Sequence, residues 1–204
     1  MTELRTGQSS TRPPSGILSR ISHFTSSHAS HDRLPGAKSQ LTFWTLLLAG
    51  LGLDLWSKKV VFDRLADPHS FIVVIDGLLN LVRAENNGAA FGICAGRPFY
   101  LAAASVVALV IVLGYFLFSG ARQMLVQVAL GLLAAGICGN LYDRVFNEGY
   151  VRDFIDVYIK VFGAERHWHT FNVADALLCI GVGLLVVWTG TTGKSSQKRA
   201  QQHK

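Results

Sequence analysis

The sequence has few charged residues, and three long stretches have none at all. Charged residues make up 16% of the 204 residues, whereas a soluble domain carries about 25%. The uncharged stretches run from Arg97 to Arg122, from Arg122 to Asp143, and from Asp175 to Lys194. Each is close to the roughly 20 apolar residues that cross the hydrocarbon core of a bilayer. The pattern excludes a soluble globular enzyme and indicates a membrane protein.

Cysteine is scarce too. The three cysteines, Cys94, Cys138 and Cys179, lie among apolar neighbours. Three are too few for a secreted disulfide scaffold, and none has a base at a spacing typical of a thiol protease. We therefore interpret the cysteines as small buried hydrophobic residues.

Metal-binding patterns are also missing from the sequence. Neither an HExxH helix nor a CxxC pair is present to complete a site with His167, His169 and Glu165. We expect these histidines on the surface of an outer loop. Neither a metal ion nor an organic cofactor is expected.

Both ends of the chain are basic. Residues 1–40 hold nine Ser, three of the five Pro and five of the nineteen Lys and Arg, and residues 193–204 add four more cations. The N-terminal segment has no apolar run with which to form a core, which predicts a disordered tail. Cations beside membrane spans mark the cytoplasmic side. The positive charge therefore predicts two cytoplasmic tails rather than nucleic-acid binding.

Four apolar segments are predicted to span the membrane, at about 41–62, 99–118, 123–142 and 172–192. An even number of spans returns the chain to its starting side, in agreement with the two basic tails. The loops at 63–98 and 143–171 are therefore expected outside. Within the first loop, β-rich runs flank Asp76-Gly77, a dipeptide that favours a tight hairpin turn. The predicted fold is an all-α membrane protein with four transmembrane helices and a small β-rich extracytoplasmic element.

Ionisable residues in or beside the predicted spans are candidates for function, because each costs roughly 2.5–3.5 kcal/mol at the centre of a spanning helix. In the predicted topology they gather toward the outer ends of the spans, which suggests a single site. Asp54 and Lys58 share one helical face, as do Asn140 and Arg144. The alternative for Asp54 and Lys58 is a plain ion pair at the membrane interface. The candidates are Asp54, Lys58, Asp143, Arg144, Asp153 and Asp175.

Five short motifs occur in order along the chain: DLWSK from Asp54, NNGAAF from Asn86, GNLYDR from Gly139, VRDF from Val151 and FNVAD from Phe171. With these motifs in this order, residues 41–192 resemble the lipoprotein signal peptidase family. This family, also called signal peptidase II, consists of bacterial membrane aspartyl proteases. One position departs from the family's pattern, because Glu85 precedes the second motif where the family has Arg.

The resemblance implies a function and a set of site residues. It implies an endopeptidase of the bacterial inner membrane, with its site toward the outer face and with membrane lipid around it. The expected substrates are diacylglyceryl-modified prolipoproteins, cut just before the lipidated Cys. By matching motif positions, Asp153 and Asp175 are the catalytic pair. The residues expected to bind substrate or support the site are Asp54, Lys58, Asn86, Gly88, Asn140, Asp143, Arg144 and Asn172.

The chemistry of two carboxylates agrees with such an activity. Carboxylates held close together share one proton, so one can deprotonate water while the other donates to the scissile carbonyl. We expect Asn172 on a neighbouring face of the helix that carries Asp175. Arg144 suits a substrate contact or an ion pair with Asp143 or Asp156, and Asp156 is expected to be a solvated neighbour. The alternative from another class is a small transporter or channel subunit whose carboxylates relay protons or bind an ion.

Overall fold

The computed structural model describes residues 34–67, 69–88, 96–119 and 123–202, with side chains described up to residue 192. Most of the tail predicted for residues 1–40 lies outside this range, as do Cys94 and the turn at Arg122. The described end of that tail is helical from Ala37 onward. The first helix therefore begins four residues before the predicted span.

Four long helices cover most of the described chain. They are α1, Ala37–Arg64; α2, Pro98–Phe118; α3, Met124–Phe146; and α4, Val173–Gln202. The predicted spans overlap these helices closely, but α3 ends four residues and α4 ends ten residues later than expected. Asp143 and Arg144 consequently belong to the end of α3 and not to the loop that follows it.

Three of the helices are long and apolar enough to cross a membrane, namely Pro98–Phe118, Met124–Phe146 and Val173–Thr192. Helix α1 is not among them, because polar residues that include Asp54 and Lys58 lower its mean hydropathy. The described chain is therefore mostly helical with three candidate membrane helices. The predicted fourth transmembrane helix is not confirmed.

Helix α3 is the centre of the helical bundle and packs against α1, α2 and α4. Small residues permit this close approach. A Cβ added at Gly136 would lie 2.5 Å from the carbonyl oxygen of Ala174 on α4, and one added at Gly50 would lie 2.8 Å from the Cβ of Ala135. Glycine at these positions sets the register of α3 against its neighbours.

The remaining described residues form a small antiparallel sheet. Its strands are β1, Phe71–Ile75; β2, Leu79–Asn86; β3, Val151–Val161; and β4, Ala164–His167, and they lie in the order β1-β2-β3-β4. The hairpin predicted at Asp76-Gly77 is confirmed, with Gly77 at a φ of 77°. The other two strands lie in the segment 143–171, which the sequence analysis treated as a loop. Strand β3 contains β-branched and aromatic residues, which favour a strand. The sequence therefore contained the pattern that predicts β3.

The sheet is fixed against the ends of two helices. Val61, Phe62 and Leu65 at the end of α1 form a buried cluster with Phe154 of β3. At the other edge of β3, Phe171 exchanges backbone hydrogen bonds with Ile155, at 2.8 and 3.1 Å. Since α4 begins two residues after Phe171, this pairing places the middle of β3 beside the start of α4.

Candidate active site

Two carboxylates, from β3 and from the first turn of α4, are joined by one asparagine. Asp153 is buried, with 2% of its surface exposed, and Asp175 is half-buried. Asn172 donates its amide Nδ2 to Asp153 Oδ1 at 2.7 Å. Its backbone N–H donates to Asp175 Oδ2 at 3.3 Å. Asn172 thereby holds both carboxylates at a single site.

Each carboxylate also accepts a second amide hydrogen bond. Asn86 Nδ2 donates to Asp153 Oδ2 at 3.0 Å, and Asn140 Nδ2 donates to Asp175 Oδ1 at 2.8 Å. The oxygen of Asn140 in turn accepts from Asn172 Nδ2 at 3.1 Å. All four carboxylate oxygens therefore have a donor, and the three asparagines fix how the two side chains are oriented.

The FNVAD motif forms the N-terminal cap of α4. The helix begins at Val173, so Asn172 is its N-cap residue and does not lie on a face of the helix as expected. Asn172 Oδ1 accepts from the Asp175 N–H at 3.0 Å while Asp175 accepts from the Asn172 N–H, which is a reciprocal capping box. Asp54 Oδ1 accepts from the N–H of Ala174 at 2.8 Å. These hydrogen bonds at the start of α4 therefore fix the position of Asp175.

A buried lysine lies beneath the asparagines. Lys58 has no exposed surface, and its Nζ lies 2.7 Å from Asp54 Oδ2 and 3.0 Å from Asp143 Oδ2. It also donates a hydrogen bond to Asn140 Oδ1 at 3.2 Å. Because Lys58 occupies the oxygen of Asn140, the NH₂ group of that amide is directed toward Asp175. The alternative of a plain interfacial pair of Asp54 and Lys58 is therefore wrong.

The second carboxylate bound to Lys58 connects α3 to the sheet. Asp143 Oδ1 accepts from Arg152 Nη2 at 2.6 Å and Nε at 3.0 Å, and its Oδ2 accepts from the backbone N–H of Arg152 at 3.0 Å. Asp143 therefore neutralises Lys58 and Arg152 together. This pairing fixes the start of β3 next to the end of α3.

Arg144 makes no ion pair with any carboxylate in the described part of the chain. Its guanidinium donates to the carbonyl oxygens of Gly88 at 3.2 Å and Asn140 at 3.4 Å, and its Nε is buried with no hydrogen-bond partner there. The expected alternative of a pair with a neighbouring Asp is therefore wrong. Gly88 also donates its N–H to Asn86 Oδ1 at 2.9 Å, which orients the Asn86 amide toward Asp153.

The two carboxylates differ in their surroundings. Burial, and after it the charge of Asp175, raises the pKa of Asp153 from its ordinary 3.8 to about 6. Hydrogen bonds from Asn86 and Asn172 act in the opposite direction. Asp153 consequently keeps a proton at a pH where an ordinary aspartic acid is ionised.

The carboxylates face a cavity of about 450 Å³. Its polar lining residues, here called the polar wall, include Asn86, Asn140 and Arg144 beside the two aspartates. Its apolar lining residues, here called the apolar wall, include Val151, Trp168, Phe171, Ala176 and Leu178. A cavity with a few convergent polar groups in apolar surroundings is typical of a binding site for an extended, partly apolar ligand.

Asp156 lies on the opposite face of β3 and is not a solvated neighbour. It is 5% exposed, and both of its oxygens lie 2.9 Å from His167 Nδ1. The hydrogen bond that His167 donates to Asp156 raises the pKa of His167. His167 belongs to strand β4 and not to a loop. Across the described ranges, no three His, Cys, Asp or Glu side chains form a group that could hold a metal ion.

The cysteines depart from the expectation of buried residues. Cys138 on α3 is half-buried, and Cys179 on α4 is exposed and lines the cavity. Cys94 lies outside the described residues. Apolar neighbours in the sequence do not show which side of α4 a residue occupies, so composition alone misplaced Cys179.

Comparison with known proteins decides the family. A family model described as signal peptidase (SPase) II matches residues 46–190. The chain belongs to the signal peptidase II family. It is 42% identical over 155 residues to the lipoprotein signal peptidase of Sulfurihydrogenibium sp. (strain YO3AOP1), which covers 73% of this chain and 91% of that relative. The lipoprotein signal peptidase of Geobacter sulfurreducens is 42% identical over 149 residues, 71% of this chain and 89% of the relative.

Solved structures share the fold. A bacterial membrane enzyme determined by the in meso method at 2.3 Å resolution matches with a TM-score of 0.66 and 28% identity, over 81% of this chain and 94% of that chain. The predicted family is therefore confirmed, and the chain is a multi-pass membrane protein that acts as an aspartic endopeptidase in lipoprotein processing. The transporter alternative is set aside.

Several residues at the site were missed in the sequence. Arg152 lies next to Asp153 in the VRDF motif, and strand alternation places it on the other face, toward α3. Trp168 and Phe171 line the cavity but carry no local signal that separates them from other aromatic residues near span ends. Trp168 and Phe171 reach the site only because the chain folds back after β3, so that β4 and Phe171 pair with that strand.

Proposed function

We propose that this signal peptidase II removes signal peptides from diacylglyceryl-modified prolipoproteins, cutting just before the lipidated Cys, with Asp153 and Asp175 as the catalytic pair. One observation supports this assignment most strongly. Asn172 hydrogen-bonds to both carboxylates, and both face the same cavity. Two aspartates from separate elements are thereby held where they can act on one peptide bond.

The different surroundings of the two aspartates suggest different roles. Asp153 is the more buried of the two and keeps its proton to a higher pH than an ordinary aspartic acid, so Asp175 is assigned as the base that takes a proton from water. The water oxygen attacks the scissile carbonyl carbon while Asp153 gives its proton to the carbonyl oxygen. The proton on Asp175 then passes to the leaving nitrogen as the C–N bond breaks, and Asp153 recovers its proton from the hydroxyl group.

Arg144 and the three asparagines are proposed to position the substrate. Arg144 is directed to the cavity with no carboxylate partner in the described chain, so its charge is available for carbonyl oxygens of the peptide. Asn86, Asn140 and Asn172 hold the carboxylates and define the polar wall. The apolar wall suits the small and apolar residues that precede a cleavage site and the lipid on the cysteine.

Asp54, Lys58 and Asp143 are proposed to act as positioning residues. None of them lines the cavity. Asp54 accepts from the N–H of Ala174, the residue just before Asp175, and Lys58 fixes the Asn140 amide that contacts Asp175. Asp143 balances the charge of Lys58. Loss of this group would disturb the geometry of the pair without removing a reacting atom.

We further propose four membrane spans, with α1 as the fourth. Its 28 residues correspond to about 42 Å of helix, more than the roughly 30 Å of a bilayer core. Its buried charges, Asp54 and Lys58, are paired within the bundle and do not face lipid. Four spans put both basic tails, residues 1–40 and 193–204, in the cytoplasm of a bacterial inner membrane. The peptidase domain of residues 41–192 then has its sheet and cavity at the outer face.

The test is cleavage of a diacylglyceryl-modified precursor by purified variants. Asp153→Asn and Asp175→Asn should each abolish cleavage, because Asn cannot exchange the proton, and the double variant should be no worse than either single variant. Asp156→Asn is the matched control, since it removes a buried carboxylate three residues along the same strand but outside the cavity. Turnover above a few per cent in either dyad variant, at normal folding, would falsify the aspartyl assignment.

A further inference from the structure

A fully exposed phenylalanine occupies the tip of the β3–β4 hairpin. Phe162 is 105% exposed, and with Gly163 it forms the two-residue turn between Val161 and Ala164. Both turn residues have positive φ, 51° and 79°, as a type I′ turn requires. Asn or Gly adopts this conformation with less strain than an aromatic residue. Neither turn geometry nor core packing therefore accounts for Phe at this position.

The sheet surface next to the tip is apolar and uncovered. Ile159 and Val161 point to one face of β3, where they are 54% and 37% exposed. On the opposite face, the polar side chains of Asp156 and Tyr158 are buried. A sheet with one face in water normally buries its apolar residues and exposes its polar ones. This hairpin has the reverse arrangement, so its outward face suits a surface that is not water.

The charge on this face is positive. Arg166 lies directly opposite Ile159 in the register and is exposed. It forms an ion pair with none of the acidic residues in the described part of the chain. Lys160 and Glu165 belong to the other face, where Lys160 pairs with Asp76 and Glu165. An apolar surface with an unpaired cation is complementary to the interface of an anionic bilayer.

The position of the hairpin agrees with such a partner. Strand β3 begins five residues after the membrane helix α3 ends, and its catalytic candidate Asp153 faces the cavity. The eight steps along the strand from Asp153 to Val161 extend about 26 Å. The hairpin therefore starts close to the end of a spanning helix, where lipid headgroups lie, and Trp168 at its base lines the cavity.

We propose that Phe162, together with Ile159, Val161 and Arg166, docks into the interfacial region of an anionic phospholipid bilayer. The docked hairpin sets the height and tilt of the cavity relative to the membrane surface. This inference rests on the proposed orientation of the sheet at the outer face. It does not bear on the chemistry of cleavage, which a detergent assay reports independently.

Spin labels at the two hairpin tips test the proposal. The label is attached at Phe162→Cys or, as the matched control, at Asp76→Cys, whose native side chain is 85% exposed at the tip of the β1–β2 hairpin. The background replaces the three native cysteines by serine, and each protein is checked for cleavage in detergent. In vesicles of phosphatidylglycerol and phosphatidylethanolamine, accessibility to oxygen relative to a water-soluble nickel complex is measured for both labels.

The expected result is a ratio several-fold higher at position 162 than at position 76, and a lower ratio at 162 when phosphatidylglycerol is replaced by a neutral lipid. Equal ratios at the two tips in an active protein would overturn the proposal. If the label at position 162 becomes inaccessible to the nickel complex only after an uncleavable precursor is added, the partner is the substrate peptide instead. Dipolar broadening between labels at 162 would identify a second copy. Either result also contradicts lipid docking.

Discussion

The buried lysine of α1 offers the sharpest test of how the site is stabilised. Lys58 has no exposed surface, forms ion pairs with Asp54 and Asp143, and donates a hydrogen bond to Asn140. Replacement by Met preserves length and apolar volume but removes the charge. Asp143 keeps Arg152 as a partner, whereas Asp54 keeps only the N–H of Ala174 and becomes an uncompensated buried carboxylate.

The expected cost of Lys58→Met is about 3–5 kcal/mol of unfolding free energy, the range for breaking a buried ion pair by removing one partner. A second substitution, Asp54→Asn, should recover about 1–3 kcal/mol of this loss, because it removes the unpaired charge while its amide oxygen can still accept from Ala174. The double variant should still cleave poorly, since Asn140 has lost the donor that orients it toward Asp175.

The same helix supplies a control. Lys59 and Asp63 have the same spacing and an ion-pair distance of 2.8 Å, but their side chains are 73% and 62% exposed. Lys59→Met should therefore cost less than about 1 kcal/mol. Denaturant-induced unfolding in detergent, followed by circular dichroism, measures all four variants. Equal losses for Lys58→Met and Lys59→Met, or strict additivity of Asp54→Asn and Lys58→Met, would refute the reasoning.

Three further predictions concern the proton, the helix contacts and the topology. The kcat/KM for a lipidated precursor should fall as pH rises through about 6, because Asp153 then loses the proton that it must donate. Asn86→Ala removes a hydrogen bond that lowers the pKa of Asp153, so in this variant the fall should move to higher pH. An unmoved pH profile contradicts the role of Asp153. Gly139→Ala should cost about 2 kcal/mol or more, because the new Cβ would overlap the buried Asp54 carboxylate, whereas Gly183→Ala, with nothing within 4 Å, should be neutral or slightly stabilising in the same unfolding assay. Reporter fusions after Lys38 and after Lys194 should both read as cytoplasmic and one near Asp67 as external; an external C-terminus would eliminate the four-span proposal.

Local patterns in the sequence were enough to locate most elements. The span predicted at 99–118 differs from α2 by one residue, because an uncharged apolar run ends sharply at Arg97 and in the turn after Phe118. The first hairpin followed from Asp76-Gly77, whose glycine adopts the positive φ that such a turn requires. The motifs also indicated which polar residues gather at the site. Each of these signals depends on neighbours only a few residues apart.

Tertiary structure decided which of those polar residues pair with one another. The sequence left Asp143 and Asp156 open as ion-pair partners of Arg144, yet Asp143 pairs with Lys58, 85 residues earlier, and with Arg152. Asp156 was expected in solvent, but the strand that returns as β4 covers it with His167. Pairing of buried charges follows from the register in which helices and strands pack, and glycines such as Gly139 set that register through contacts distant in sequence.

The N-cap of α4 depends partly on local sequence and partly on tertiary structure. An N-x-x-D pattern before an apolar run is readable as a capping box, and it fixes Asp175 against Asn172 by local geometry alone. That the same Asn172 amide also binds Asp153 depends on β3 being held beside α4 by Phe171. The sequence by itself therefore determined the approximate positions of the four long helices and the family, and its N-x-x-D pattern carries one half of the carboxylate pair's geometry. The other half required the whole bundle and sheet to be packed, because it joins elements whose proximity no local propensity specifies.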